Sequence, residues 1–544
     1  MNGLESPGSS RREDVKDIQC DYVVVGTGSA GAVVANRLSA DPSTAVVALE
    51  AGPPDKNRFI GIPVAFSKLF RSDVDWDYLT EPQPGLAGRQ IYWPRGKVLG
   101  GSSSMNAMMW VRGFAADYDE WARRAGPQWS YAEARSYFRR IENATAAADS
   151  VSGEDSGLTG PLHISRQRSP RPCTAAWLAA VQESGFPMVQ PNSAAPEGFC
   201  ETVVTQRRGA RFSTARAYLK PAMRRKNLTV LTGATATRII VDGARAVAVE
   251  YRQGGQTRVV NARKEVVVCG GAINSPQLLM LSGIGDRDHL AEHGIDTVRH
   301  APGVGQNLID HLVTVLGFDV DGDSLADAEK PLELINYLFR RRGMLSSNVG
   351  EAYGFLRTRP ELQHPDVELI FAPAPFYDEG LPTEPTGHGV VFGPILVAPE
   401  SRGQITLRSA DPHDKPVIEP RYLSDPGGVD RAAMMEGLRI CARIASAPSL
   451  KGLLGPIARP RDCTDLSEDT LEKTLATCAH TLYHPLGTCR MGSDDASVVD
   501  PELRVRGVVG LRVADASVMP STVRGHTHAP SVLIGEKAAD LIRG

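Results

Sequence analysis

Twelve histidines are spread over 544 residues, and four of them stand close together near the end of the chain. His480 and His484 lie in Cys478-Ala-His480-Thr-Leu-Tyr483-His484-Pro485-Leu-Gly-Thr-Cys489. His526 and His528 lie in Gly525-His526-Thr-His528-Ala-Pro530. An imidazole titrates near neutral pH and therefore suits proton transfer. Cys478, His480, His484 and Cys489 are also soft metal ligands. Their Cys-x-His spacing is not that of paired ligands, however, and Pro485-Leu-Gly breaks any helix that would align them, so no metal site is expected.

A second set of residues points to a phosphate-bearing ligand. Gly26-Thr27-Gly28-Ser29-Ala30-Gly31 follows the β-branched run DYVVV at 21–25 and precedes AVVANRLSA, which has helical spacing. Gly26 permits a tight turn, Gly28 lets backbone approach a pyrophosphate, and Gly31 lets helix and strand pack closely. The helix N-terminus offers unpaired N–H groups and the positive end of a dipole. A further apolar strand, AVVALE, ends at Glu50, nineteen residues past Gly31. An acid there fits a ribose diol and argues against a 2′-phosphate. The motif by itself does not separate NAD from FAD.

Gly100-Gly101-Ser102-Ser103-Ser104 is a second glycine-rich turn, rich in N–H and hydroxyl donors. It runs into the apolar MNAMMWV, so it is read as a second contact with a large ligand and not as a surface linker.

The elements that must hold these loops belong to a sizeable globular protein. Length predicts three to four structural units at about 150 residues each. Hydrophobic residues at 42% and charged residues at 23% exclude a disordered chain or a disulfide mini-protein. A net charge of −3 gives no footing for a nucleic-acid partner, and Arg340-Arg341-Arg342 is read as a solvated turn before Gly343. No run approaches the ~18 apolar residues of a membrane span. Gly389 to Ala398 reads as a buried strand. Residues 1–19 read as a disordered leader, and eight cysteines without a CxxC pair read as reduced thiols of a cytoplasmic protein, with peripheral membrane contact left open. Stretches 142–160, 319–329 and 377–388 read as loops, and 366–374 and 389–408 as strands. Leu334, Tyr337, Leu338, Phe339, Phe371 and Phe376 are apolar-pocket candidates, with core packing the expected use for most.

Four segments together resemble the glucose–methanol–choline (GMC) oxidoreductases: the N-terminal dinucleotide motif; GKVLGGSSSMNAMMWVRG; GAINSPQLLMLSGIG from Gly271; and the pair YHPLGTCRMG and VADASVMPSTVRGHTHAPSVLIGEKAADLI. The resemblance implies FAD and an α/β fold. A Rossmann-like FAD-binding domain (20–165, 215–315 and 470–544) would join a discontinuous α+β substrate-binding domain (166–214 and 316–469) carrying a large antiparallel sheet. It places Gly100, Gly101, Ser102, Ser103, Asn106, Ala107, Met108, Asp515, Ala516, His528, Ala529 and Pro530 at the cofactor, with Ala236 near the adenine. It assigns proton abstraction to His484 and positioning of the substrate oxygen to His528, with His526 outside the chemistry. Met105 stands where some members carry a histidine bonded to FAD, so FAD is expected to be non-covalent.

The implied reaction is oxidation of a neutral, primary alcohol to the aldehyde by hydride transfer. The sequence leaves open oxygen, a quinone or a redox carrier as acceptor, with a dehydrogenase favoured over an oxidase. Choline-oxidising members carry an acid just after the Asp-His pair, whereas Asp310-His311 is followed here by Leu312-Val313, which argues against choline. A lyase of the same fold (hydroxynitrile lyase or photodecarboxylase) and a non-catalytic flavoprotein are the alternatives. Oligomeric state is not assigned.

Overall fold

The computed structural model describes residues 18–146, 156–377, 381 and 387–544. Of the expected leader, residues 1–17 lie outside the described residues. Ile18 and Gln19 do not belong to a leader: they open the strand Ile18–Val25, where they pair with Val260 and Asn261.

That strand is central in a seven-stranded sheet. Its neighbours are Val46–Glu50 and Gln256–Val268, both parallel to it. Leu228–Thr232 extends one edge, and Leu511–Val513 pairs parallel with Gln256–Val268. The helix Gly31–Leu38 connects the first two strands, and all but Arg37 of it is buried. Continuous β-branched runs suit strands covered on both faces, and Val23, Val24, Val47 and Ala48 are almost wholly inaccessible. The run NLTVLTGATATRI forms two strands. Gly233 turns the chain in the left-handed region (φ +63°), so Leu228–Thr232 ends and Ala234–Asp242 begins a separate antiparallel ladder.

The second large sheet is antiparallel throughout. Ala352–Leu356, Val367–Ala372, Gly389–Leu396, Leu312–Val313 and His480–Thr481 lie in that order, with Leu316–Val320 and Leu454–Arg459 branching from it. Gly389–Leu396 is buried along its whole length, as its apolar run requires. His480–Thr481 and Leu312–Val313, read with the cofactor domain, pair here and carry this sheet's edge toward the glycine loops.

Two expected loops hold structure. In 142–160, Glu142–Ala146 pairs parallel with Leu162–Arg166. The buried Glu142 carboxylate accepts from Trp110 Nε1 (2.7 Å) and the Arg112 guanidinium, which pins this segment to the core. In 319–329, Asp319 and Val320 end a strand, and Leu325–Glu329 forms a 3-10 turn capped by the Ser324 hydroxyl. Most of 377–388 lies outside the described residues.

Candidate active site

A cavity of about 470 Å³ runs between the two sheets and is lined from both. At one end the glycine loops meet. A Cβ on Gly26 (φ +93°) would sit 2.4 Å from the Cys269 carbonyl oxygen, and one on Gly31 would sit 2.0 Å from that of Gly26. These two glycines close strand against helix. Gly28 differs: a Cβ there would meet nothing nearer than Gly101 Cα at 3.9 Å, so its open side is the cavity itself. Gly101 (φ +50°) stands against Gly28 and joins the second loop to the first.

Gly26, Thr27, Gly28, Ser29, Ala30, Glu50, Gly101, Ser102, Asn106, Ala107, Met108, Ala236, Asp515, Ala516 and His528 line this cavity. Gly31, Gly100, Ser103, Ala529 and Pro530 do not. Ser103 Oγ donates to Gly100 O (2.6 Å) and meets Thr214 Oγ1 (2.8 Å), so its hydroxyl braces the loop. Ala529 and Pro530 are packed into the first turn of the helix His528–Arg543. Glu50 Oε2 accepts from Thr27 N–H (3.0 Å) and Oγ1–H (2.7 Å), and Oε1 from Gly52 N–H (3.0 Å). Both acceptor sites of Oε2 are thus taken, and Oε1 keeps one. Burial pushes the Glu50 carboxyl up, against those hydrogen bonds. Asp515 likewise spends its oxygens on protein, accepting from Gly271 N–H (2.8 Å), Ser275 Oγ (2.5 Å) and Ser517 N–H (2.8 Å). Trp76 and Tyr78, stacked at 5.9 Å, line the same end without a sequence signal of their own. Thr527, His528 and Ser531 present the positive end of the last helix to the cavity. The cradle fits a dinucleotide: glycine where a side chain would intrude, an acid at the end of the second strand, and a helix N-terminus on either side.

At the other end the histidines converge. His484 is joined by His526, ring centroids 4.7 Å apart, and by His311 at 5.2 Å. His528 instead meets Ser29 Oγ through Nδ1 (2.9 Å) and stands edge-on to Trp110. It ties the last helix to the phosphate loop. The physical reason is its position as first residue of that helix, whereas His526 lies two residues before it, in the loop leading in, and reaches Glu368 Oε1 through Nε2 (3.1 Å).

Tyr483 holds a left-handed backbone (φ +67°) that turns His484 out of the strand His480–Thr481. Asp310 Oδ1 accepts the His484 N–H (2.9 Å), and Arg95 donates to Tyr483 O (2.7 Å). Burial pushes the Asp310 carboxyl up to about 6, against the hydrogen bond that the Tyr422 hydroxyl donates to Oδ2.

Hydrogen-bond polarity sets the His484 tautomer. Thr522 Oγ1 donates to Val397 O (2.9 Å), so it accepts from His311 Nε2 (3.0 Å). His311 Nδ1 is then an acceptor and takes the proton on His484 Nδ1 (3.1 Å). His484 Nε2 is left as a lone pair. Burial first, then the nearby His526, hold His311 down at about 3. Burial, His526, His311 and Arg95 hold His484 well below the usual 6.5. The ring is a neutral base at neutral pH. His311 is 173 residues from His484 and shares no motif with it; the Asp-His pair at 310–311 was its sole trace in sequence. Thr522→Val removes the acceptor at the end of this relay. The expected result is a roughly tenfold slower reductive step, restored by Thr522→Ser, measured by rapid mixing.

Apolar and aromatic side chains complete the chamber beside the histidines. Phe66 contacts Phe70 and Phe376, and Phe70 contacts Tyr483, with centroids 5.7–5.8 Å apart. Val313 and Ile370 line the opposite wall. The acids that line the cavity, Glu50, Asp414 and Asp515, are not among these chamber residues.

Comparison with known proteins agrees with this fold. Residues 20–313 and 399–535 match the two family models described as GMC oxidoreductase. An uncharacterized GMC-type oxidoreductase of Mycobacterium tuberculosis (strain ATCC 25618 / H37Rv) is 81% identical over 97% of this chain and 100% of its own length. Human mitochondrial choline dehydrogenase is 41% identical (99% and 92%), and alcohol dehydrogenase [acceptor] of Pseudomonas putida 40% (96% and 95%). Among solved structures, the formate oxidase of Aspergillus oryzae RIB40, studied for its FAD modification, superposes with TM-score 0.89 at 29% identity, covering 97% of this chain and 98% of that one.

Proposed function

The chain belongs to the GMC oxidoreductases, FAD enzymes acting on alcohols, and from that premise we propose that it oxidises a neutral, apolar primary alcohol to the aldehyde. FAD would supply the acceptor for the substrate's α-hydride. The observation that carries the reading is the unprotonated Nε2 of a buried, neutral His484 beside His526 at the head of an apolar chamber. His484 Nε2 takes the hydroxyl proton as the carbonyl forms. His526, oriented by Glu368, holds the substrate oxygen as it gains negative character. The aromatic wall holds the carbon chain and excludes water. Thr27, Gly28, Ser29, Glu50, Gly101, Ser102 and Asn106 hold the cofactor, and Met105, in the cavity wall, supports non-covalent attachment. We favour a dehydrogenase with a redox carrier or quinone as acceptor, on its likeness to the alcohol and choline dehydrogenases.

The four-ring wall also favours a second substrate, choline, since aromatic faces attract a quaternary ammonium. Val313 in the wall, where an acid would neutralise that cation, decides against it. Turnover with a soluble dye acceptor separates the two. The expected kcat/KM for a medium-chain primary alcohol exceeds that for choline by at least about a hundredfold. A preference for choline would overturn the neutral-substrate reading.

A further inference from the structure

The helix Pro331–Arg340 contradicts its sequence reading. Leu334, Leu338 and Phe339 line neither core nor cavity; they face solvent, as do Leu332 and Ile335. Phe339 is 84% exposed and Leu332 74%, and five of the eleven exposed large hydrophobic residues among those described lie on this one helix. Isolated exposed leucines are ordinary, but five on ten residues are not. The helix is nonetheless firmly seated: Tyr337 is buried and donates to Gly61 O (3.0 Å), and Glu333 turns back to accept the Met344 N–H (2.8 Å). Ala328, Tyr337 and Leu345 pack below it with Ile62 and Val64. Val64 belongs to the same cluster as Phe66, which lines the substrate chamber.

The polar surroundings of this apolar face are cationic. Arg340, Arg341 and Arg342 end the helix, all exposed. Exposed Arg207 and Arg208 lie on the neighbouring hairpin, whose Gly209 approaches the Arg341 carbonyl so closely that a Cβ would sit 2.3 Å from its oxygen. Among the described residues none of these five arginines has an acidic partner. The local acids are already engaged, Asp327 by Lys330 and Glu329 by Lys68.

An exposed apolar helix face bordered by arginines without acidic partners is complementary to an anionic lipid surface: acyl chains accept Leu and Phe while headgroup phosphates meet the guanidinium groups. We propose that this helix, with the arginines of 207–208 and 340–342, seats the enzyme on anionic phospholipid membranes, placing the layer outside the substrate chamber against the bilayer.

The test is co-sedimentation of the FAD-loaded enzyme with vesicles, without substrate, so that its outcome is independent of the alcohol reaction. The enzyme is expected to pellet with phosphatidylcholine–phosphatidylglycerol vesicles, weakly with phosphatidylcholine alone, and less as salt rises. Leu338→Glu/Phe339→Glu and, separately, Arg340→Glu/Arg342→Glu are each expected to weaken binding at least about tenfold while leaving dye-linked turnover unchanged. Failure to pellet, or equal binding to both vesicle types that the variants do not alter, overturns the proposal. A self-association broken by Leu338→Glu/Phe339→Glu, with no vesicle binding, would assign the face to a second copy and overturn it as well.

Discussion

His484→Ala is expected to slow the reduction of bound flavin by alcohol about a hundred- to ten-thousandfold, the span for loss of a positioned general base. FAD binding should be unaffected, because the ring belongs to the histidine cluster and not to the glycine loops. The same assignment fixes the pH dependence of the unaltered enzyme. A histidine held below its ordinary value is neutral across the neutral range, and acid protonates it late. Protonation removes the base, so the reductive rate should stay level as pH falls through 6.5 and drop only in more acid solution. A drop centred at or above 6.5, or a His484→Ala enzyme that reduces normally, would take the base away from this residue.

Gly28→Val is expected to yield a folded, colourless protein. The usual objection to replacing a motif glycine is that the fold fails. At Gly26 it would, because the new carbon meets the Cys269 carbonyl at 2.4 Å. At Gly28 the backbone is not in the left-handed region and nothing in the protein lies within 3.9 Å, so only a ligand in the cavity can object. A branched side chain there should weaken FAD binding by at least about a hundredfold and leave the melting temperature of the apoprotein unchanged. Flavin fluorescence during titration reads the first quantity, and thermal unfolding of both apoproteins reads the second. A yellow Gly28→Val enzyme with ordinary affinity would show that the pyrophosphate does not lie against this loop.

What the sequence disclosed and what it withheld follow from the range of the interactions. The strand, turn, helix and acid of 21–50 are local, and each glycine has one steric reason to be there. They are legible in order. The same is true of the run at Gly389, whose unbroken apolar character reports burial on both faces. The partner of His484 is not a local property. His526 and His528 differ by two positions, and which of them faces the chamber depends on where the last helix starts. His311 reaches His484 only through pairing of Leu312–Val313 with His480–Thr481, a contact between distant segments of the chain. The chamber wall gathers Phe66, Phe70, Phe376 and Tyr483 from three regions, although only Phe376 and Tyr483 drew notice in the sequence. The helix at 331–340 shows the converse error. Residue type assigns its apolar side chains to pocket or core, but residue type does not say what covers a side chain.

The most direct measurement mixes the oxidised, FAD-loaded enzyme with a medium-chain primary alcohol in the absence of oxygen and records the flavin absorbance. The expected result is full bleaching at a rate that saturates with alcohol, accompanied by one equivalent of aldehyde per flavin. A yellow enzyme that no primary alcohol bleaches would contradict the assignment of this site to alcohol oxidation.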